Sequence, residues 1–450
     1  MPVSPARLVA FHVLCRLDEK RNYAVDLLHR PEISRLKEVD RRLATDLVMG
    51  VLRWRGDLDF TIEKLSGKPL RYFDPEILEA LRLGVYQIRF LSSIPRSAAV
   101  NESVQLVKAA RKKSAAGLVN AVLRRCEKAS FSASDPPDAR NEEYLESARR
   151  SIPAWLRERW EKNFGGEAAR SLIAASQAIP PIHLRITGPC FDRQQMQDEL
   201  LADHVQTNPG RFGKRTLWVE SGSITNTPAW REGRVVIQDE ASQRVAELLA
   251  PRTGDRALDL CAAPGIKTWQ IADVMGQGSI VACDRSLRRM RALRKILSRR
   301  WPEGVRIHRV ALDATRSLPF TTTFDRILVD VPCSGTGTLA RNPEIKWRLQ
   351  PEDIPRLAAA QRAILRQGLA VLAPGGRLVY STCSLEPEEN EEVVFDVLAT
   401  VQGFRALNAA ELRQEFPNLA PFFKEPGYFH TWPNKYRMDG FFAAVIVRWK

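Results

Sequence analysis

The sequence predicts an α/β protein: a largely parallel, doubly wound sheet in the C-terminal half, preceded by an all-α region and a small α+β module. Three observations carry this. From about Val235, strand-like and helix-like segments alternate, as crossover connections in a parallel sheet require. Before about residue 130 the apolar residues recur at helical spacing instead. Acidic residues also stand at the ends of successive candidate strands, the edge where open α/β sheets bind ligands.

In the N-terminal region Val9, Val13 and Leu17 form one stripe, with Ala10 and Leu14 beside them. Leu43, Leu47, Val51 and Trp54 form a second, Ile77, Leu81, Val85 and Ile88 a third, and Val100, Val104 and Val107 a fourth. Such stripes are the core-facing sides of bundle helices. The chain carries a formal net charge of +15, which fits a polyanionic partner. Arg41, Arg42, Arg53, Arg55, Arg111 to Lys113, Arg124 and Arg125 therefore make either a solvated face or a surface for RNA.

Ser130 to Asn141 is rich in turn formers and poor in large apolar residues, and reads as a linker. A helix follows over Ile152 to Phe164, with Trp155, Leu156 and Trp160 as its apolar points, and then a short strand over Ile182 to Ile186. More short segments run to Gly233. The expected divisions are thus 1–130 all-helical, 145–233 a small α+β module, and 234–450 the parallel sheet. Its candidate strands are Arg256 to Leu260, Ser279 to Cys283, Val305 to Val310, Asp325 to Val329 and Arg377 to Ser381. Helices are expected over Arg285 to Arg300 and Pro355 to Leu372, and the apolar run Phe441 to Val447 suits a buried strand.

Several function classes are disfavoured. No stretch reaches the ~18 apolar residues that span a bilayer, and the N-terminus lacks the apolar core of a secretion signal. Seven scattered cysteines without a Cys-x-x-Cys argue against a disulfide framework and a structural zinc site. The six histidines are scattered too, so no metal is expected. A reducing cytoplasm is the natural setting.

Cys261-Ala262-Ala263-Pro264-Gly265-Ile266-Lys267 follows the first strand and opens a helix. Small residues there let a ligand approach the backbone. Asp284 ends the second strand, where a carboxylate can bind ribose hydroxyls. Asp313 follows the third, where it could reach an adenine amino group, and Asp330 ends the fourth. One such Asp is often only a helix cap, but three in register beside a small-residue loop point to a ligand. A nicotinamide dehydrogenase would want G-x-G-x-x-G, which is absent. The ligand expected is therefore one without phosphates.

The fourth strand ends in Asp330-Val-Pro-Cys333-Ser-Gly335 and the fifth in Tyr380-Ser-Thr-Cys383-Ser384. If the strands are neighbours, ~5 Å apart, both thiols face one cleft beside the ligand site. A lone Cys is usually a small buried hydrophobe, the reading given to Cys15, Cys126, Cys190, Cys261 and Cys283. Cys333 and Cys383 lie instead in strand-end loops, where sites form. Two thiols beside a methyl donor fit a specific chemistry. A thiolate adding to C6 of cytosine pushes electron density onto C5, which can then attack a methyl sulfonium. Asp330 can hold the base's polar edge. Chemistry alone leaves open which thiol attacks. A base must be unstacked to react, so loop or single-stranded RNA is the easier target.

At these residues the chain resembles the RNA cytosine-5 methyltransferase family, the bacterial Sun/Fmu group. The matching segments are Cys261 to Lys267, Asp284, Asp313, Asp330 to Gly335, Asn342-Pro-Glu-Ile-Lys-Trp347, Tyr380 to Ser384 and Asp439-Gly-Phe-Phe442. The resemblance implies a Rossmann-like fold and S-adenosyl-L-methionine as cofactor, bound by Cys261 to Lys267, Asp284, Asp313 and Asp330. It also implies that Cys383 is the nucleophile and that Cys333 assists release of product. The N-terminal region, with Gly117-Leu-Val-Asn-Ala-Val-Leu-Arg-Arg125, resembles a NusB-like RNA-binding domain, which implies 16S rRNA as substrate. One position departs: Ile266 stands where the family usually has a second glycine, and a β-branched residue would be strained there if φ were positive.

The resulting expectation is a monomeric cytoplasmic rRNA (cytosine-5) methyltransferase, with no membrane or obligate protein partner. A tRNA enzyme and a non-catalytic RNA-binding scaffold are the alternatives. Arg288, Arg291, Lys295 and Arg299 recur at spacings of three and four and should share one helix face toward RNA phosphates.

Overall fold

The computed structural model describes residues 3–17, 23–28, 30, 33, 35–128, 142–188 and 191–449. The expected linker Ser130 to Asn141 and the thiol of Cys190 lie outside the described residues. The chain forms two compact units: Met1–Ile179 with Leu339–Leu349, and Pro180–Thr338 with Gln350–Lys450.

The first unit is helical. Its long helix, Glu38–Ser66, buries Leu47, Val51, Leu58 and Ile62 completely or nearly so, each such side chain contributing ~1.5–3 kcal/mol by leaving water. Pro5–Leu17, Pro75–Phe90 and Ala116–Lys128 pack against it, and Arg96–Ala109 packs on Pro75–Phe90 and Ala116–Lys128. Three further helices, Glu142–Arg150, Ala154–Phe164 and Gly166–Gln177, belong to this unit and not to the small sheet that follows. The reason is polar as well as apolar. Arg150 donates to buried Asp57 at 2.8 Å, and Arg89 donates to the same carboxylate. A Cβ on Gly56 would stand 2.0 Å from the Arg150 carbonyl oxygen, so only glycine lets the two helices approach so closely.

The segment Leu339–Leu349 also belongs to this unit, although its Asn342 to Trp347 motif reads in sequence as part of the catalytic domain. Lys346 is buried and donates to the Arg53 carbonyl at 2.8 Å and to Gln177 at 3.2 Å. Trp347 donates from its indole to the Leu52 carbonyl at 2.6 Å, and Arg53 donates to the Ala340 carbonyl at 3.0 Å. Burial, reinforced by Arg53, pushes the Lys346 pKa well down. Arg53 is therefore part of the core and not of an RNA-facing surface.

The second unit holds two sheets. The smaller is antiparallel, in the order β2 (Gln206–Pro209), β3 (Thr216–Ser221), β1 (Ile182–Ile186), β4 (Val235–Ile237). Arg185 on β1 is buried and ion-paired with Asp273, on the helix Ile266–Met275 of the larger layer. In the larger sheet, β5 (Arg256–Asp259), β6 (Gly278–Asp284), β7 (Val305–Ala311), β8 (Phe324–Asp330) and β9 (Leu372–Thr382) are parallel, in the spatial order β9-β8-β5-β6-β7. The strand order reverses between β5 and β8, which places a crevice at their carboxyl ends. The remaining strands, β10 (Phe404–Ala406), β11 (Phe423–Lys424), β12 (Tyr428–His430) and β13 (Phe442–Arg448), extend the sheet beyond β9, with β13 antiparallel to it. Buried Leu258, Ile327, Leu328, Leu378 and Val379 show why the central strands read as continuous apolar runs. Among the described residues no helix is long and apolar enough to cross a membrane.

Candidate active site

Every reactive residue expected from the sequence, Asp313 apart, falls at the carboxyl edge of β5, β6, β8 or β9. β8 and β9 are neighbours, pairing Asp330 with Ser381. Cys333 and Cys383 follow these strands, are half-buried, and bring their sulfurs to 3.3 Å. The loop after β8 is packed tightly enough that glycine is required. A Cβ on Gly337 would lie 2.2 Å from the Gly440 carbonyl oxygen and 2.9 Å from that of Cys383. The Gly337 N–H donates to the Cys383 carbonyl at 2.9 Å, and the Gly440 N–H to the Gly337 carbonyl at 2.8 Å. The Asp439 to Phe442 motif thus helps to hold the two thiol loops together.

Lys267 and Asp330 form the charged floor of the site. The Lys267 ammonium donates to Asp330 Oδ2 at 2.8 Å and sits 5.0 Å from the Phe441 ring centroid, while the Ser381 hydroxyl donates to Asp330 Oδ1 at 2.7 Å. Burial alone would push the Lys267 pKa down. Asp330 outweighs it, with Cys383 and Asp259 adding to the rise, so the ammonium form is favoured. The Cys333 pKa is raised well above the ordinary thiol range, first by its hydrogen bond to Cys383, then by burial and by Glu389. Cys333 is therefore held as a thiol. Burial also raises Cys261, and pushes Cys283 up to about 12, so neither is a ready nucleophile.

The loop Cys261 to Lys267 closes the β5 side. The Ala262 N–H donates to the Cys283 carbonyl at 2.7 Å, and Arg289 donates to the Ala263 carbonyl. Gly265 has φ +107°, and a Cβ there would meet Leu293 at 2.9 Å. Ile266 instead begins the helix Ile266–Met275 and is not among the residues with positive φ. The feared strain is absent, because the single left-handed position is already taken by Gly265. Asp284 accepts from the Ser286 N–H at 2.8 Å and lies 3.3 Å from Arg289. Asp313 accepts from the Thr315 N–H and hydroxyl, which hold its pKa low.

Sequence reasoning missed Asp259. It is buried, accepts from the Thr268 hydroxyl at 2.7 Å, and leaves Oδ1 without a hydrogen bond of normal geometry. Burial pushes its carboxyl up to about 7. Its signal in the sequence was an acid just before the small-residue loop, where it read as an ordinary strand residue. A cationic ligand group would suit such an acceptor.

An open α/β sheet with this loop and these strand-end acids is built to bind a ligand at its carboxyl edge, and comparison with known proteins makes it a methyltransferase sheet. Residues 246–447 match the family model described as 16S rRNA methyltransferase RsmB/F, residues 4–128 the NusB family, and residues 152–224 the ferredoxin-like domain of RsmF/B-like methyltransferases. The chain belongs to this RsmB/F family. It is 34% identical to the probable ribosomal RNA small subunit methyltransferase B of Synechocystis sp., over 98% of this chain and 99% of that one. To the probable ribosomal RNA small subunit methyltransferase B of Bacillus subtilis it is 32% identical over 99% of each. The crystal structure of PH0851 shares the fold, with a TM-score of 0.79 at 23% identity over 99% of both chains. A methyltransferase homologue from Pyrococcus horikoshii gives a TM-score of 0.57 at 29% identity, covering 68% of this chain and 99% of that one. The chain is thus an S-adenosylmethionine-dependent RNA methyltransferase with a NusB-like N-terminal region.

Proposed function

We propose that this enzyme methylates C5 of a cytosine in 16S rRNA, with Cys383 as nucleophile and Cys333 assisting release. The 3.3 Å approach of the two sulfurs beside the Lys267–Asp330 pair carries the reading. Bound S-adenosylmethionine would supply the methyl sulfonium. Cys261 to Lys267, Asp284, Asp313 and Asp330 would hold it, with Asp259 receiving its ammonium group. Asp330 and Lys267 would also fix the polar edge of the base and stabilise charge developing on the ring. The Cys383 thiolate adds to C6, and the electron pair moved onto C5 takes the methyl group. Cys333, held as a thiol, then gives its proton to the departing Cys383 sulfur, and the thiolate left on Cys333 takes the C5 proton. The ring is restored and both thiols are protonated. The division of labour follows the family resemblance, and the raised pKa of Cys333 is compatible with its giving a proton.

The rRNA substrate follows the names of the relatives and the NusB-like region, with 1–130 as the RNA-binding part and the larger sheet as the catalytic part. Purified protein, labelled S-adenosylmethionine and unmodified 16S rRNA should yield 5-methylcytosine on nucleoside mass spectrometry. Better transfer to tRNA would move the substrate assignment, and methyl on any other atom would overturn the chemistry. Failure to bind S-adenosylmethionine in calorimetry would leave the scaffold alternative.

A further inference from the structure

Glu389 lies in the 3-10 turn Pro387–Glu389, is fully buried, and is not used by the chemistry above. Its two carboxylate oxygens serve different loops. Oε1 accepts from the Ser334 N–H at 2.9 Å, in the residue after Cys333. Oε2 accepts from the Ser384 hydroxyl at 2.6 Å, in the residue after Cys383. The Ser334 and Ser384 hydroxyls lie 2.9 Å apart beneath it. Gln361, from the helix Asp353–Ala370, donates to Oε1 at 2.8 Å and to the Pro332 carbonyl at 3.0 Å, so the residue before Cys333 is tied to the same hub. The neighbouring Asn390 donates to the Ser384 carbonyl at 3.0 Å. Tyr380 donates to the Glu389 carbonyl at 2.6 Å, fixing the turn against β9.

Among the described residues no Lys or Arg pairs with this carboxylate. A buried charge without a counter-ion is costly, and a well-packed apolar residue would serve stability better. What an apolar residue cannot do is accept from two separate loops at once. We propose that Glu389 is a positioning residue that clips the Cys333 and Cys383 loops together and so sets the spacing of the two thiols. Length matters more than charge in such a clip. Glutamine keeps the reach, offering an acceptor to Ser334 and a donor to the Ser384 oxygen. Aspartate keeps the charge but is one methylene too short to hold both loops.

The test reads spacing directly. Diamide, an azo oxidant, takes up two protons and two electrons as neighbouring thiols join, and peptide mapping identifies the Cys333–Cys383 disulfide formed in the full-length protein. Glu389→Asp and Ser384→Ala should each slow this closure by at least ~five-fold, whereas Glu389→Gln should stay within ~two-fold of the parent, because sub-ångström placement dominates such rates. The order of kcat for methyl transfer should be the same, with cofactor affinity unchanged. Should Glu389→Gln be the slow variant and Glu389→Asp the fast one, charge and not length is what matters, and the clip is refuted. Equal closure rates in all variants refute it as well. The kinetic arm rests on the C5 reading, but the closure arm does not. If the parent makes no 5-methylcytosine while the closure order holds, only the proposed function fails.

Discussion

Cys333 Sγ lies 3.3 Å from Cys383 Sγ, although the two residues are 50 positions apart in the sequence. The contact exists because β8 and β9 are parallel neighbours that end level with one another, Asp330 opposite Ser381. Both loops that continue from these ends are anchored behind the sulfurs, on Glu389 and across Gly337.

The two thiols should fail differently. Cys383→Ala should lower methyl transfer by roughly 10³-fold or more, the scale of losing a covalent nucleophile, with S-adenosylmethionine affinity kept. Cys333→Ala should instead accumulate an RNA adduct that survives denaturing electrophoresis. An adduct in Cys383→Ala but not in Cys333→Ala would reverse their roles.

Asp259 should leave a signature in pH dependence. Its folded carboxyl titrates at about 7, above its ordinary value, so the protonated form is the one that favours the fold. The stability it contributes is fully present below the ordinary carboxylate range and is lost as pH rises through about 7. Differential scanning fluorimetry should show Asp259→Asn gaining on the parent as pH rises across that window. Cofactor affinity should move oppositely in the parent, rising as the carboxylate forms, and stay flat in Asp259→Asn. A flat parent profile would remove Asp259 from the cofactor site.

The basic helix Leu287–Leu297 exposes Arg288, Arg291 and Lys295, but Arg299 lies beyond its end and stacks over Trp230 at 4.1 Å. Replacing the three exposed residues by Ala should reduce the slope of log affinity against log salt by roughly two to three in filter binding to RNA. Arg299→Ala should lower the melting temperature and leave that slope alone. An unchanged slope in the triple variant would take the helix off the RNA surface.

Gly337→Ala tests the tight packing behind the thiols. With a Cβ 2.2 Å from the Gly440 carbonyl oxygen, the loop must shift. The expected cost is about 1–3 kcal/mol in chemical denaturation, with a larger loss in methyl transfer than in cofactor binding. Full activity would show that the loop yields freely.

Much of the catalytic layer was legible because parallel strands advertise themselves. β1 spans Ile182–Ile186 as expected, and β5 to β9 each lie within a few residues of their expected spans. The small-residue loop and the two cysteine motifs are contiguous in sequence, so their place at strand ends could be read directly. The N-terminal stripes marked helices equally well, since one buried face repeats every third or fourth residue. What escaped was whatever depends on partners remote in sequence. Arg53 looked like any surface arginine, and its burial comes from a segment 287 residues away. Lys346 and Trp347 sit inside a motif that reads as catalytic, yet they bond to the helix Glu38–Ser66 and belong to its unit.

The sequence by itself determined the α/β class, the strand-end loops and the residue types at the site, because alternation, small residues and cysteines are local properties. The tertiary structure alone decided where the carboxylates of Glu389 and Asp259 lie and which groups reach them. A carboxylate's meaning depends on burial and on the donors that reach it, and those donors come from Ser334, Gln361, Ser384 and Thr268 only when the strands and helices are packed together.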